Sequence, residues 1–233
     1  MTARTATATV TWNSPTDSVW HDARVIHGKP YPTRNTAPEL EGGACAYLDD
    51  LTDEQRDHLR AVHESAHAVT ALASGAHVHY AKISTTTTLR NTSAVPIWAP
   101  PNAVPGGDTR ACDLTDGLGF ITFMGSGERA EDRWLREQGL WTPTRSVGVE
   151  LGAYGDRRHV LRLNPHFGFE GGPADYLVVH YFADQAINRN WDAITAVAAV
   201  LATTLHLTGD QIASLADLPN GTHSASCTFQ TTT

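Results

Sequence analysis

The stretch AVHESAHAVTALASG, Ala61 to Gly75, sets His63 and His67 four residues apart, with Glu64 directly after the first. On a helix, positions i and i+4 share a face, so two imidazoles at that spacing can bring ring nitrogens to one metal ion at about 2.0–2.1 Å each. The H-E-x-x-H pattern also leaves Glu64 to one side of the pair, where its carboxylate reaches a water on the metal without binding the metal itself. The chemistry these residue types suggest is hydrolysis. Zinc lowers the pKa of that water toward about 7, and Glu64 takes its proton as it attacks a peptide carbonyl, then returns the proton to the leaving amine. The competing reading is an amphipathic helix that happens to carry two histidines.

A catalytic zinc needs a third protein ligand. The chain has 12 histidines and 25 acidic residues, and spacing alone does not choose among them.

The pair must be positioned by the element that carries it. Thr52 and Gln55 have the spacing of a capping box, Asp53 and Glu54 suit the positive end of a helix dipole, and Gly75 closes the run, so a helix is predicted over 53–74. Leu59, Val62, Ala66, Val69 and Ala73 form its apolar stripe, and the two histidines fall just beside that stripe, at the expected rim of a cleft. HVHYAKIS, His77 to Ser84, alternates as a short strand. Residues 85–113, rich in Thr, Pro and Gly, read as a long loop or irregular hairpin and a candidate substrate lid.

Further along, DLTDGLGFITFM and ERAEDRWLREQG read as helical pieces on either side of Gly125-Ser126-Gly127, with Gly139 as a stop. A turn around Asp156 feeds a short helix ending before Pro165. Helices follow over about 173–188, about 191–205 and TGDQIASLA, the last capped by Thr208. The expected fold is therefore mainly α (α+β), with a small strand region beside the H-E-x-x-H helix. Residues 1–50 read as an extended or partly disordered arm that can wrap back through Trp12, Trp20 and Tyr31, residues 51–216 as one domain, and 217–233 as a fraying tail.

Composition bounds the remaining possibilities. The 233 residues are 41% hydrophobic and 18% charged, with a formal charge of -8, which describes a soluble globular protein that nucleic acid would repel. The most apolar segment, AITAVAAVLATTL, falls short of the roughly 20 residues that cross a membrane, and the N-terminus lacks an apolar signal core, so no membrane partner and a cytoplasmic location are expected. Cys45, Cys112 and Cys227 are odd in number and far apart, never in a C-x-x-C pair; they read as ordinary thiols of a reducing compartment. No phosphate-binding G-x-x-x-x-G-K-[ST] loop is present.

HESAHAV resembles the HEAGHA signature of the FtsH-type zinc peptidases, the protease half of a membrane-bound ATP-driven protease. Three further segments agree in order: FITFMGSGERAEDRW is similar to that family's LLGGRAAEE helix, LGAYGDRRHVL to its TGASNDL segment, and NWDAITAVAAVLATTLHLTGDQIASL to its closing pair of helices. The resemblance spans about residues 50 to 216. It implies a zincin-like helical peptidase domain with Zn2+ held by His63, His67 and Asp156, Glu64 as general base, and Glu131 as a nearby carboxylate orienting a histidine ring; without the resemblance Asp156 reads as an ordinary helix cap, and a solvated helix face is the competing reading of Glu131. It also implies that the strand His77 to Ser84 is an edge strand holding an extended substrate, where His77, His79 or Tyr80 could approach the oxyanion, although the residues by themselves read as surface or packing side chains.

Departures accompany the resemblance. Ala66 stands where the family prefers glycine, and Arg157 and Arg158 replace more apolar residues beside the implied ligand. The matching region includes neither the family's ATPase module nor its membrane anchor. The expected substrate is accordingly a peptide or unfolded protein segment, with a separate ATPase or a homo-oligomer as the expected partner. The alternative is a non-catalytic, zinc-stabilised domain that binds a partner protein.

Overall fold

The computed structural model describes residues 20–26, 29–40, 43–91, 106–112, 114, 117–225 and 227. It is mostly helical, with a small three-stranded antiparallel sheet. The element that organises it is helix α1, Asp53–Ala73. Its start is fixed by the reciprocal capping box: Gln55 N–H donates to Thr52 Oγ1 at 3.2 Å, and Thr52 N–H donates to Gln55 Oε1 at 2.9 Å. Gly75, at φ +84°, turns the chain out of it.

Strand β1 (His21–Ile26) pairs antiparallel with β2 (Lys29–Thr33). Strand β3 (His77–Ile83) follows α1, and a short helix α2 (Thr86–Asn91) follows β3. Strand β4 (Gly107–Cys112) returns antiparallel to β3. Helices α3 (Gly117–Glu137), α4 (Pro143–Gly152) and α5 (Tyr154–Leu163) lead to the long α6 (Leu177–Thr204), then β5 (His206–Thr208) and α7 (Gly209–Ala216).

Helix α1 packs against α3, α6 and the sheet together, so it is buried on nearly every side from Leu59 to Leu72. This corrects the single-stripe expectation: Ala73 is exposed, while Ser65, Ala68 and Ala71, off the stripe, are buried. Small residues make such a central position possible, because Ala61, Ala66, Ala68 and Ala71 let three neighbours approach one helix.

The expected interruption at Gly125-Ser126-Gly127 does not occur, and α3 runs through it. A Cβ on Gly125 would lie 2.8 Å from Val179 Cγ1 of α6, so the glycine marks a close helix crossing and not a break. The two helices expected over about 173–188 and about 191–205 do meet at a break: α6 is interrupted at Asn190 (φ -120°), whose amide donates to Ala186 O at 2.8 Å, and its first part begins at Leu177.

Two further expectations change. Strand β3 is not at an edge: the sheet order is β4-β3-β5, and β3 pairs with β4 on one side and β5 on the other. The segment read as a loop supplies α2 and β4, while residues 92–105 of the expected lid lie outside the described residues. At the ends, the described part of the N-terminal arm is a hairpin and a 3-10 turn (Gly43–Leu48) packed on α4, where Tyr31 Oη donates to Glu150 O at 2.8 Å. The tail does not leave the domain directly after α7. Gly221 N–H donates to Ala76 O at 3.2 Å, and the Asn220 side chain bonds both N–H and C=O of Val78.

Candidate metal centre

His63 and His67 lie in the middle of α1, one turn apart, with their ring centroids 4.7 Å apart. His67 is buried, at 4% exposure, and so belongs to the core it was expected to border. Its Nδ1 lies 2.6 Å from the Phe123 carbonyl oxygen. A carbonyl only accepts, so Nδ1 carries a proton and Nε2 is the ring nitrogen turned toward the cleft. Nε2 lies 3.0 Å from His63 Nε2.

Asp156 completes the group. It sits in the first turn of α5, and its Oδ2 is 3.2 Å from His63 Nε2 and 3.4 Å from His67 Nε2. Three atoms from two helices, separated by a long stretch of sequence, thus converge on one point. The far side of the His63 ring meets Glu131 of α3, with Nδ1 at 3.5 Å from Oε2. The structure therefore brings together His63, His67, Asp156 and Glu131.

The position of Asp156 depends on its neighbour. Arg157 points the opposite way into the interior and is fully buried, donating from Nε to Glu128 Oε2 at 2.9 Å, from Nη2 to Glu150 Oε2 at 2.8 Å and from Nη1 to Pro32 O at 2.8 Å. The rings of Trp20, Tyr31, Phe169 and Tyr176 surround the guanidinium. Arg157, which replaces a more apolar residue in the family pattern, anchors the turn that carries the carboxylate.

Glu64 faces the other wall. It is 7% exposed, and Thr109 Oγ1 of β4 donates to its Oε2 at 2.7 Å. Gly107 lies so close that a Cβ there would run into the Glu64 side chain. On α3, a Cβ at Gly127 would stand 2.5 Å from the His63 ring. These two glycines let β4 and α3 close on Glu64 and His63 from opposite sides.

A cleft of about 420 Å³ opens between these elements. His63, Glu64, His67 and Asp156 line its floor, β4 forms one side, and Phe120, Phe123 and Met124 of α3 make an apolar wall. Electrostatics in the cleft favour positive charge. Burial opposes protonation of His63, but Glu131 and Asp156 outweigh it and hold the ring's pKa well above the usual histidine range. Burial would raise Asp156, yet the rings of His67 and His63 hold it well below the usual carboxylate range. Burial pushes Glu64 up, against the partly compensating His63 and His67.

His77, His79 and Tyr80 are not among the residues of this cleft. His77 Nδ1 meets Gly221 O at 2.7 Å, and Tyr80 Oη donates to Asp108 Oδ2 at 2.7 Å. The side chains that sequence reasoning missed are Thr109 and Ser126. Ser126 donates to Phe123 O at 2.8 Å, beside His67. The one visible signal was the run of small residues at 125–127, which in a helix indicates a close neighbour. No protein-family model and no curated protein matches this sequence.

Proposed function

We propose that the chain is a zinc-dependent metallopeptidase, related in its site plan to the FtsH-type peptidases that its motifs resemble, and that it cleaves peptides or unfolded segments. The observation that carries this reading is the convergence of three possible ligand atoms, His63 Nε2, His67 Nε2 and Asp156 Oδ2, at mutual separations of 3.0, 3.2 and 3.4 Å. A tetrahedral site with ligand bonds of about 2.0–2.1 Å spaces its donors about 3.3 Å apart. Two imidazoles and one carboxylate, with an open side toward a cleft, are the donor set of a hydrolytic zinc site and not of a closed structural one. A divalent ion held there supplies Lewis acidity toward a carbonyl and makes water a nucleophile near neutral pH.

The chain's own residues then have separable tasks. Phe123 O fixes the tautomer of His67, and Glu131 orients the ring of His63. Glu64, held by Thr109 at the side of the donor group, takes the proton from the attacking water and delivers it to the amine. Burial raises its pKa, the direction that favours proton uptake by a general base.

The substrate surface in this reading is β4 and not β3. Among the described residues β4 pairs only with β3, so its outer backbone edge, beside Glu64, is open to a peptide in extended form. The apolar wall of Phe120, Phe123 and Met124 would receive a hydrophobic side chain of that peptide.

The test is cleavage of an unstructured protein such as casein by the zinc-loaded chain. Glu64→Gln should bind zinc as the parent does and lose at least about 100-fold in rate, the usual scale of general acid–base catalysis. A parent chain that holds zinc and never cleaves would favour the partner-binding alternative.

A further inference from the structure

A second group of donors lies outside the cleft, at the end of the β3–β4 hairpin. His79, Cys112, His223 and Cys227 each offer one ligand atom, and these four atoms all lie within 4.8 Å of one another. His79 Nε2 is 3.2 Å from Cys227 Sγ, and the His79 and His223 ring centroids are 5.1 Å apart. None of the four lines the cleft that holds Glu64. No disulfide joins the cysteines.

The local backbone explains how four residues so distant in sequence meet. Val78 pairs with Ala111 and Tyr80 with Arg110, so His79 is an extra, bulged residue of β3. The buried positions Val78, Ala81 and Ile83 show the alternation slipping by one across that bulge. A bulge re-aims a side chain, and this one sends His79 to the face where Cys112, opposite His77, also lies.

From the other direction the tail is brought in by contacts that admit little substitution. A Cβ on Gly221 would collide with the Gly75 carbonyl, and Asn220 clamps Val78. A turn closed by Cys227 N–H donating to Ser224 O at 3.1 Å then folds Cys227 back toward His223.

We infer that His79, Cys112, His223 and Cys227 form a second, structural metal site that takes a zinc-like soft divalent ion and fastens the C-terminal tail to the β3–β4 hairpin. Two thiolates and two imidazoles neutralise such an ion and leave no open position, the pattern of a closed structural site. Bonds of about 2.0–2.3 Å place tetrahedral donors about 3.3–3.8 Å apart, so closure asks the side chains to move by roughly an ångström. Four donors from three segments also explain why a polar tail, expected to fray, lies against the sheet. The ion would hold in place the strand that borders the candidate active site, yet the inference stands on its own donors and does not depend on catalysis.

Cobalt(II) substitution of the full chain tests it, because only this site contains thiolates among its ligands. Near-ultraviolet thiolate-to-cobalt charge-transfer absorption is expected in the parent and, undiminished, in His67→Ala. It should vanish in the double variant C112S/C227S while the metal content falls by one ion per chain. His223→Gln, a change at an exposed position, should diminish the band in a chain whose cysteines are intact, which keeps the test alive if the cysteine variant misfolds. A folded parent with no charge-transfer band, a band that survives in C112S/C227S, or a Cys112–Cys227 disulfide formed in the metal-loaded protein would each overturn the site.

Discussion

Asp156 and Arg157 are adjacent in the chain and face opposite ways, the carboxylate toward two histidines and the guanidinium into a buried cage of two glutamates and four aromatic rings. One helical turn thereby couples the interior to the cleft. Arg157→Met should leave Glu128 and Glu150 buried without their counter-charge and cost about 3–5 kcal/mol of stability. Denaturant unfolding reads this directly. An unchanged midpoint would show that the cage does not hold the turn.

Gly127 supports the same site from α3. Gly127→Ala would push a methyl against the His63 ring, and overpacking of this kind costs about 1–3 kcal/mol. The ring must shift away from the donor group, so zinc affinity should fall at least about 10-fold, as for a disturbed supporting contact. Gly152→Ala, where an added Cβ meets nothing within 4 Å, is the control and should leave zinc binding unchanged. Competition with a chelator measures both.

Thr109 holds Glu64 through one charged hydrogen bond of 2.7 Å. Thr109→Val removes the donor and keeps the shape. A hydrogen bond to a charged group contributes about 1.5–3 kcal/mol, so cleavage of casein should slow by about 10- to 100-fold with zinc content intact. Loss of zinc along with activity would place Thr109 in the fold and not in the positioning of Glu64.

Asp132 links stability to pH. Burial would raise its carboxyl, but Arg129 and Arg136, with the Trp141 N–H, hold it below the ordinary range. A carboxyl depressed in the folded state adds stability above its unfolded pKa of about 3.9 and loses that contribution as the pH falls through the lower, folded value. The stability gap between the parent and Asp132→Asn should therefore be full near neutrality and shrink below about pH 4. Unfolding midpoints measured from pH 7 down to pH 3 would refute this if the gap stayed constant.

Helix α1 was legible because its signals are local: a capping box, a stop glycine and two histidines one turn apart. Asp156 was not, since its own surroundings read as an ordinary helix start; only the resemblance singled it out, and its meeting with the histidines depends on how α1, α3 and α5 cross. The glycines of α3 were mistaken for an interruption because a close helix contact and a break use the same small residues. Strand β4, GDTRAC, was hidden by its polarity: one edge borders a cleft, and no apolar alternation marks it. The four donors at the end of the hairpin escaped notice because a bulge and a tail, neither visible as a motif, bring them together.

The central claim, that His63, His67 and Asp156 hold a catalytic ion, is tested most directly by zinc stoichiometry in the C112S/C227S background, where the second site is removed. The expected result is one tightly held zinc per chain, lost in Asp156→Ala and in His67→Ala alike. A chain of that background that binds no zinc, or an Asp156→Ala variant that retains a full equivalent, would contradict the account.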